Sequence, residues 1–181
     1  MRYQKFQPSA GLQPFLKCYF IWDGEARNPL DVQSPPNSFC SMVFNYSSPY
    51  QAYQYGSPSM RVPLAFASGQ FTSNYHLVLQ GKIGMAGIVF KPTTLNNIFG
   101  LRMSQLVNSR MPLSLLLGKQ ADHLLDAIKN QTTDGERINI MENFVLSYPK
   151  QATENQTVID DAVEYIDACK GAISVEAVAT L

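Results

Sequence analysis

The sequence predicts an α+β chain, in which a β-rich half running to about Pro92 is followed by a helical segment. Three observations carry this. Up to Pro92, short aromatic or β-branched runs alternate with clusters of Gly, Pro, Ser and Asn, the punctuation of strands and turns. Beyond Pro92 the apolar spacing changes to a helical period. The chain has 181 residues, of which 45% are hydrophobic, enough for one large domain or two small ones with a real core.

The strand signals, in order, are FLKCYFIWDG, SFCSMVFNYSS, YQAYQYG, PLAFASGQ and YHLVLQGKIGMAGIVFKP. In the second of these, one face carries Cys40, Met42, Phe44 and Tyr46, and the other carries Phe39, Ser41, Val43 and Asn45. Such a strand is apolar on one side and mixed on the other, which suits a closed or sandwiched sheet. Glycines 81, 84 and 87 interrupt the last run and predict a bent strand or a strand pair over 81–90.

After Pro92, TTLNNIFGL, MSQLVNS and SLLLGKQADHLLDAIKNQ read as helices, with Ser104 and Ser114 as N-caps. Asp134 caps a further helix on which Ile138, Met141, Phe144, Val145 and Tyr148 share an apolar face, and Pro149 stops it. Residues 150–157 have the polar composition of a linker. In the tail, Thr157 and Asp160 fit a capping box, Ile159, Val163, Ile166 and Cys169 line one face, and Gly171 ends the helix. Ser174 caps a new helix with Glu176 in its first turn.

Fourteen basic and 14 acidic residues cancel, so the chain lacks the positive field that attracts a phosphate backbone. Cys18, Cys40 and Cys169 are too few and too scattered for a disulfide framework or a zinc site, which points to a reducing, cytoplasmic setting. No signal-peptide core and no run of about 18 apolar residues is present, so no membrane partner is expected.

The tail VIDDAVEYIDACKGAISVEAVATL resembles the opening of the DNA-binding domain of AraC/XylS-type transcription regulators, through Ala162, Tyr165, Ile166, Gly171, Ser174, Glu176 and Ala179. The body from about Leu16 is similar to the regulatory half of one branch of that family, with Gly87, Phe90 and Pro92 forming its strand end. The resemblance implies a cupin-like β-barrel or jelly roll over 1–92, a helical dimerisation or packing segment over 93–149, the linker over 150–157, and the start of a helix-turn-helix domain over 158–181 that stops before its recognition helices. It implies an effector-sensing and dimerising part of a bacterial regulator: an unknown small-molecule effector, a homodimer, and promoter DNA as partner of a longer chain only. The tail is then expected to lack packing partners and to be the least protected part of the chain.

Metal-binding cupins use several histidines, whereas this chain has only His76 and His123, so no metal and no cofactor is expected. Neither G-x-S-x-G nor a P-loop occurs, which argues against an enzyme. Trp22, Met42, Phe44, Tyr46, Met85 and Phe90 are the candidate effector-binding residues, although any barrel core needs such side chains. Ile138, Met141, Phe144, Val145 and Tyr148 are the candidate dimerisation face. A stand-alone cupin-like enzyme, or an interaction module with a filled barrel and no ligand, are the competing readings.

From Lys150 onward the acids Glu154, Asp160, Asp161, Glu164, Asp167 and Glu176 face only Lys150 and Lys170. An acidic surface repels phosphate, so the chain is expected to give no sequence-specific gel shift with promoter DNA, and a specific retarded band would refute this.

Overall fold

The computed structural model describes residues 1–149 and 154–180, the side chains of 154 and 155 aside. Its frame is one antiparallel sheet built on two long strands, β2 (Leu16–Ser34) and β7 (Tyr75–Phe90). They pair from Leu16 opposite Phe90 to Ser34 opposite Tyr75, with irregularities between Leu16 and Cys18 and between Ala26 and Leu30. β1 (Arg2–Phe6) lies on the outer side of β2. On the other side of β7, β3 (Cys40–Asn45) takes residues 85–90, whereas β4 (Gln51–Gln54) takes residues 75–78. β7 changes neighbour across Gly81, whose φ of +77° only glycine adopts without strain. β5 (Met60–Arg61) pairs with β4, β6 (Ala65–Ser68) with β3, and β8 (Arg110–Pro112) with β6.

The resulting strand order is β1-β2-β7-β3-β6-β8, and the sheet is open, with β1 and β8 at its edges. The α+β class is as expected, whereas closure into a barrel or jelly roll is not found. The segment 81–90 is one continuous strand. Pattern reading missed β1, β5, β8 and the far half of β2, where the polar run EARNPLDVQ pairs with β7.

Among the described residues six helices follow: α1 (Thr94–Phe99), α2 (Ser114–Leu117), α3 (Gln120–Lys129), α4 (Asp134–Leu146), α5 (Glu154–Ala168) and α6 (Val175–Val178). The stretch expected as one helix from Ser114 breaks at Gly118, and neither α2 nor the 3-10 turn Met103–Gln105 has a side-chain cap. At α4 the cap is Thr133, one residue before the expected Asp134, in a reciprocal capping box with Glu136. Ser174 does cap α6, accepting from the Ala177 N–H at 3.2 Å. α5 starts at Glu154, so Thr157 lies inside it rather than capping it; residues 150–153 of the expected linker lie outside the described residues.

Alternation along the strands sorts the side chains into two layers. Tyr19 and Ile21 of β2, Cys40, Met42 and Phe44 of β3, and Ala86, Ile88 and Phe90 of β7 face the helices, where they meet Leu124 and Ile128 of α3 and Met141, Phe144 and Val145 of α4. Each large side chain fully buried there contributes about 1.5–3 kcal/mol of hydrophobic stabilisation. Met141, Phe144 and Val145 are therefore covered by the chain's own sheet, with Ile138 and Tyr148 packed beside them. Of the face expected to dimerise, three residues are thus buried within the chain and two are half-buried, because an amphipathic helix beside an apolar sheet face buries its stripe there first.

The other sheet face curls on itself over a second cluster that includes Val43, Tyr50, Phe66, Leu79 and Met85. There the backbone of Gly87 makes room for a ring: a Cβ at this position would stand 2.2 Å from Cε1 of Phe20. Gly87→Ala is expected to displace Phe20 and to destabilise the fold by about 1–3 kcal/mol, measured by urea denaturation. A midpoint equal to the native one would show that the ring moves aside without cost.

Candidate functional site

This face lines a half-open cavity of about 250 Å³. Alternation dictates its walls. Phe20 and Trp22 of β2 face it while Tyr19 and Ile21 face the helices; Ser41 and Val43 of β3 face it while Cys40 and Met42 do not. β6 offers Phe66 and Ser68, and β7 offers Leu77, Met85 and Val89. Ser41 and Ser68 satisfy each other's hydroxyls at 2.9 Å. Phe39, Phe71, Tyr75 and Arg110 close one side.

Of the residues singled out from the sequence, Trp22 and Met85 line this cavity. Met42, Phe44 and Phe90 do not: all three are at 0% exposure in the helix-facing layer. Tyr46 follows the end of β3 and lies under the Arg137 guanidinium of α4, 4.5 Å from its ring centre. The physical reason is that the wholly apolar face of a strand is drawn to the larger core, leaving the mixed face to line a cavity. That mixed face, Phe39, Ser41 and Val43, was the available signal. Nothing in local patterning marked Phe66, Phe71, Tyr75 or Arg110, which arrive from distant segments.

Cys40 is in the helix-facing core, and burial pushes its thiol up to about 12, with Asp160 adding to the effect. An inert thiol results. His76 bonds to Asp31 at 2.7 Å and stacks on Tyr53, and Asp31 is held below the usual carboxylate range by bonds from Tyr53 and His76. Among the described residues no cluster of three metal-ligating side chains occurs.

Next to the cavity, α5 docks on the sheet through acids spaced along one face. Asp160, 6% exposed, accepts from the Thr93 N–H at 3.0 Å and from its hydroxyl at 2.8 Å. Glu164 pairs with Lys91 at 3.0 Å. Asp167 pairs with Lys17 at 2.8 Å and accepts from the Ser38 hydroxyl at 3.1 Å. The tail expected to lack packing partners thus has several, and its carboxylates hold a helix rather than form a purely solvated surface. Of its expected apolar face, Ile159 and Ile166 are exposed, at 51% and 37%, and Val163 and Cys169 are half-buried.

The dock and the cavity share a wall. Residues 36–39 form a strap between them: Asn37 bridges to Phe71, Gln70 donates to the Ser38 carbonyl, and Asn37, Phe39 and Phe71 line both the cavity and the surface depression that Asp167 borders.

The fold and this site define an α+β domain whose open sheet carries helices on one face and an aromatic cavity on the other. Residues 4–112 match the family described as "Domain of unknown function (DUF6597)", and the chain belongs to that family. The match runs from β1 to the end of β8 and so spans the cavity walls from Phe20 to Arg110. No protein of curated description matches the chain. A crystal structure described as that of the AraC-like transcriptional activator CuxR is similar over 97% of this chain and 74% of that one, at 15% identity and a TM-score of 0.38, a likeness too weak to carry an argument. Among the described residues no helix is long and apolar enough to cross a membrane.

The Lys17 ammonium, ahead of the Ser38 hydroxyl, holds Asp167 below its ordinary value. A carboxylate so lowered stabilises the folded state above its unfolded pKa of about 3.9, and that contribution is lost as pH falls through the lower folded value. Hydrogen-exchange protection in α5 is expected to drop between pH 6 and pH 3, and to be lower already at pH 6 in Lys17→Ala. Equal protection in both tests would show that this ion pair does not hold the helix.

Proposed function

We propose that this chain is the effector-sensing part of an AraC/XylS-type transcription regulator, a binding protein rather than an enzyme. The observation that carries the reading is the shared strap: the segment 36–39 is at once a cavity wall and, through Ser38, a docking partner of α5. The sequence resemblance assigns α5 and α6 to the opening of the DNA-binding domain. A ligand that prefers one position of the strap then shifts the Ser38–Asp167 contact, and so the placement of that helix. Such coupling needs differential affinity of only about 1–3 kcal/mol. On this reading promoter DNA is a partner of the regulator. Dimer formation, if it accompanies DNA binding, uses a surface other than the buried face of α4.

The test is a thermal-shift screen of neutral, cationic and anionic small metabolites, followed by hydrogen exchange on α5 with each compound that binds. Binding is expected to change α5 protection by several-fold in the native chain and to leave it unchanged in Ser38→Ala. A cavity ligand that leaves α5 unaffected in the native chain would refute the coupling, and a library without a binder would refute the sensing role.

A further inference from the structure

The reading of the cavity as a ligand site can be taken further, because one charged side chain in its wall has no counter-charge. Arg110 belongs to the edge strand β8, paired opposite Ser68. It is set there by Asn108, which adopts φ +54° and clamps the neighbouring loop: its side chain accepts from the Thr72 N–H at 2.9 Å and donates to the Thr72 hydroxyl at 2.8 Å. The same loop supplies Phe71 and leads to Tyr75 at the start of β7, and the guanidinium carbon of Arg110 stands 4.6 Å from the centre of each ring. Packed against both rings, the guanidinium keeps N–H donors that can serve recognition.

Burial lowers the guanidinium pKa. Among the described residues no carboxylate pairs with Arg110, and neither Asp nor Glu lines the cavity. A part-buried cation without a counterion is costly unless something else supplies one. Arginine presents a planar fork that matches a carboxylate with two parallel hydrogen bonds. The remaining wall combines aromatic side chains, Phe20, Trp22 and Phe66 among them, with aliphatic and hydroxyl groups. The side-chain oxygen of Asn37, in the strap, is buried without a hydrogen-bond partner and suits a ligand O–H or N–H. The volume of about 250 Å³ lies just below the range of about 300–1,000 Å³ usual for drug-sized ligands, so a single ring is the natural occupant.

We propose that the cavity binds a small aromatic carboxylate, its carboxylate on Arg110 and its ring against Phe20, Trp22 and Phe66. The proposal rests on the sensing reading above, and it names Arg110 as the specificity residue of that site. A ligand with a donor beyond the ring would reach Asn37 and so bear on the strap itself.

The experiment is calorimetric titration of the full chain with phenylacetate, 4-hydroxyphenylacetate and cinnamate, each against its primary amide. The carboxylates are expected to bind at least tenfold more tightly than the amides, and Arg110→Gln is expected to remove that preference while the melting temperature stays near the native value. The acid-to-amide comparison uses the native chain, so it decides the matter even where the variant fails to fold. Equal binding of acid and amide, a preference that survives in Arg110→Gln, or no binding by any of the acids would overturn the proposal. Amides or other neutral aromatics that bind and alter α5 protection would sink the anion preference alone and leave the sensing reading standing. Silence across both this series and the metabolite screen would remove both.

Discussion

The pairing of β2 with β7 is the constraint on which the rest of the molecule depends. It places Leu16 beside Phe90 at one end and Ser34 beside Tyr75 at the other, so one ladder spans the whole sheet. Because side chains alternate strictly along a strand, the register of that ladder decides which residues meet the helices and which meet the cavity. A slip by one residue would exchange Tyr19 and Ile21 for Phe20 and Trp22, emptying the core of its fit and filling the cavity. β3 and β6 extend the same alternation outward, and Gly87 allows Phe20 to lie flat across β7.

A curled sheet with one covered face has two ways to use its second face. Here part of it is core, in the cluster around Tyr50 and Leu79, and part is open enough to hold a cavity. The strap 36–39 and the loop carrying Phe71 close that cavity, and both belong to connecting segments rather than to long strands. Segments of this kind are able to move without breaking the ladder. That α5 is held by charged and hydroxyl groups, rather than by a deep apolar contact, fits a docking that a modest change in the strap can alter. The exception is Asp160, whose buried bonds to Thr93 tie the helix to the end of β7.

Much of this was legible in the residues, and the illegible parts share a cause. The strand of Cys40 to Asn45 was readable, including its apolar and mixed faces, because alternation is a local property. That Met42, Phe44 and Phe90 lie in the helix-facing core and not at the cavity was not readable, because which face meets the larger core depends on where α3 and α4 pack. The helix stop at Gly171 and the cap at Ser174 were readable from neighbouring residues alone. Asp160 was not: its sequence neighbours suggested a cap, whereas its partner Thr93 lies 67 residues away. β8 and Arg110 were invisible for the same reason, since a three-residue strand is defined by its pairing with β6 and not by its composition.

By itself, then, the sequence determined the class of the chain, the change from strand to helix after Pro92, the alternating faces of its strands and the local signals that start and end its helices. These follow from backbone geometry and from contacts within a few residues. Only the tertiary structure decided that the sheet stays open, that the apolar stripe of α4 is used internally, that the acids of α5 are a dock, and that Trp22 and Arg110 share a cavity. Each of those depends on long-range pairing, where the free energy of burial is settled by whichever surfaces the ladder of β2 and β7 brings together.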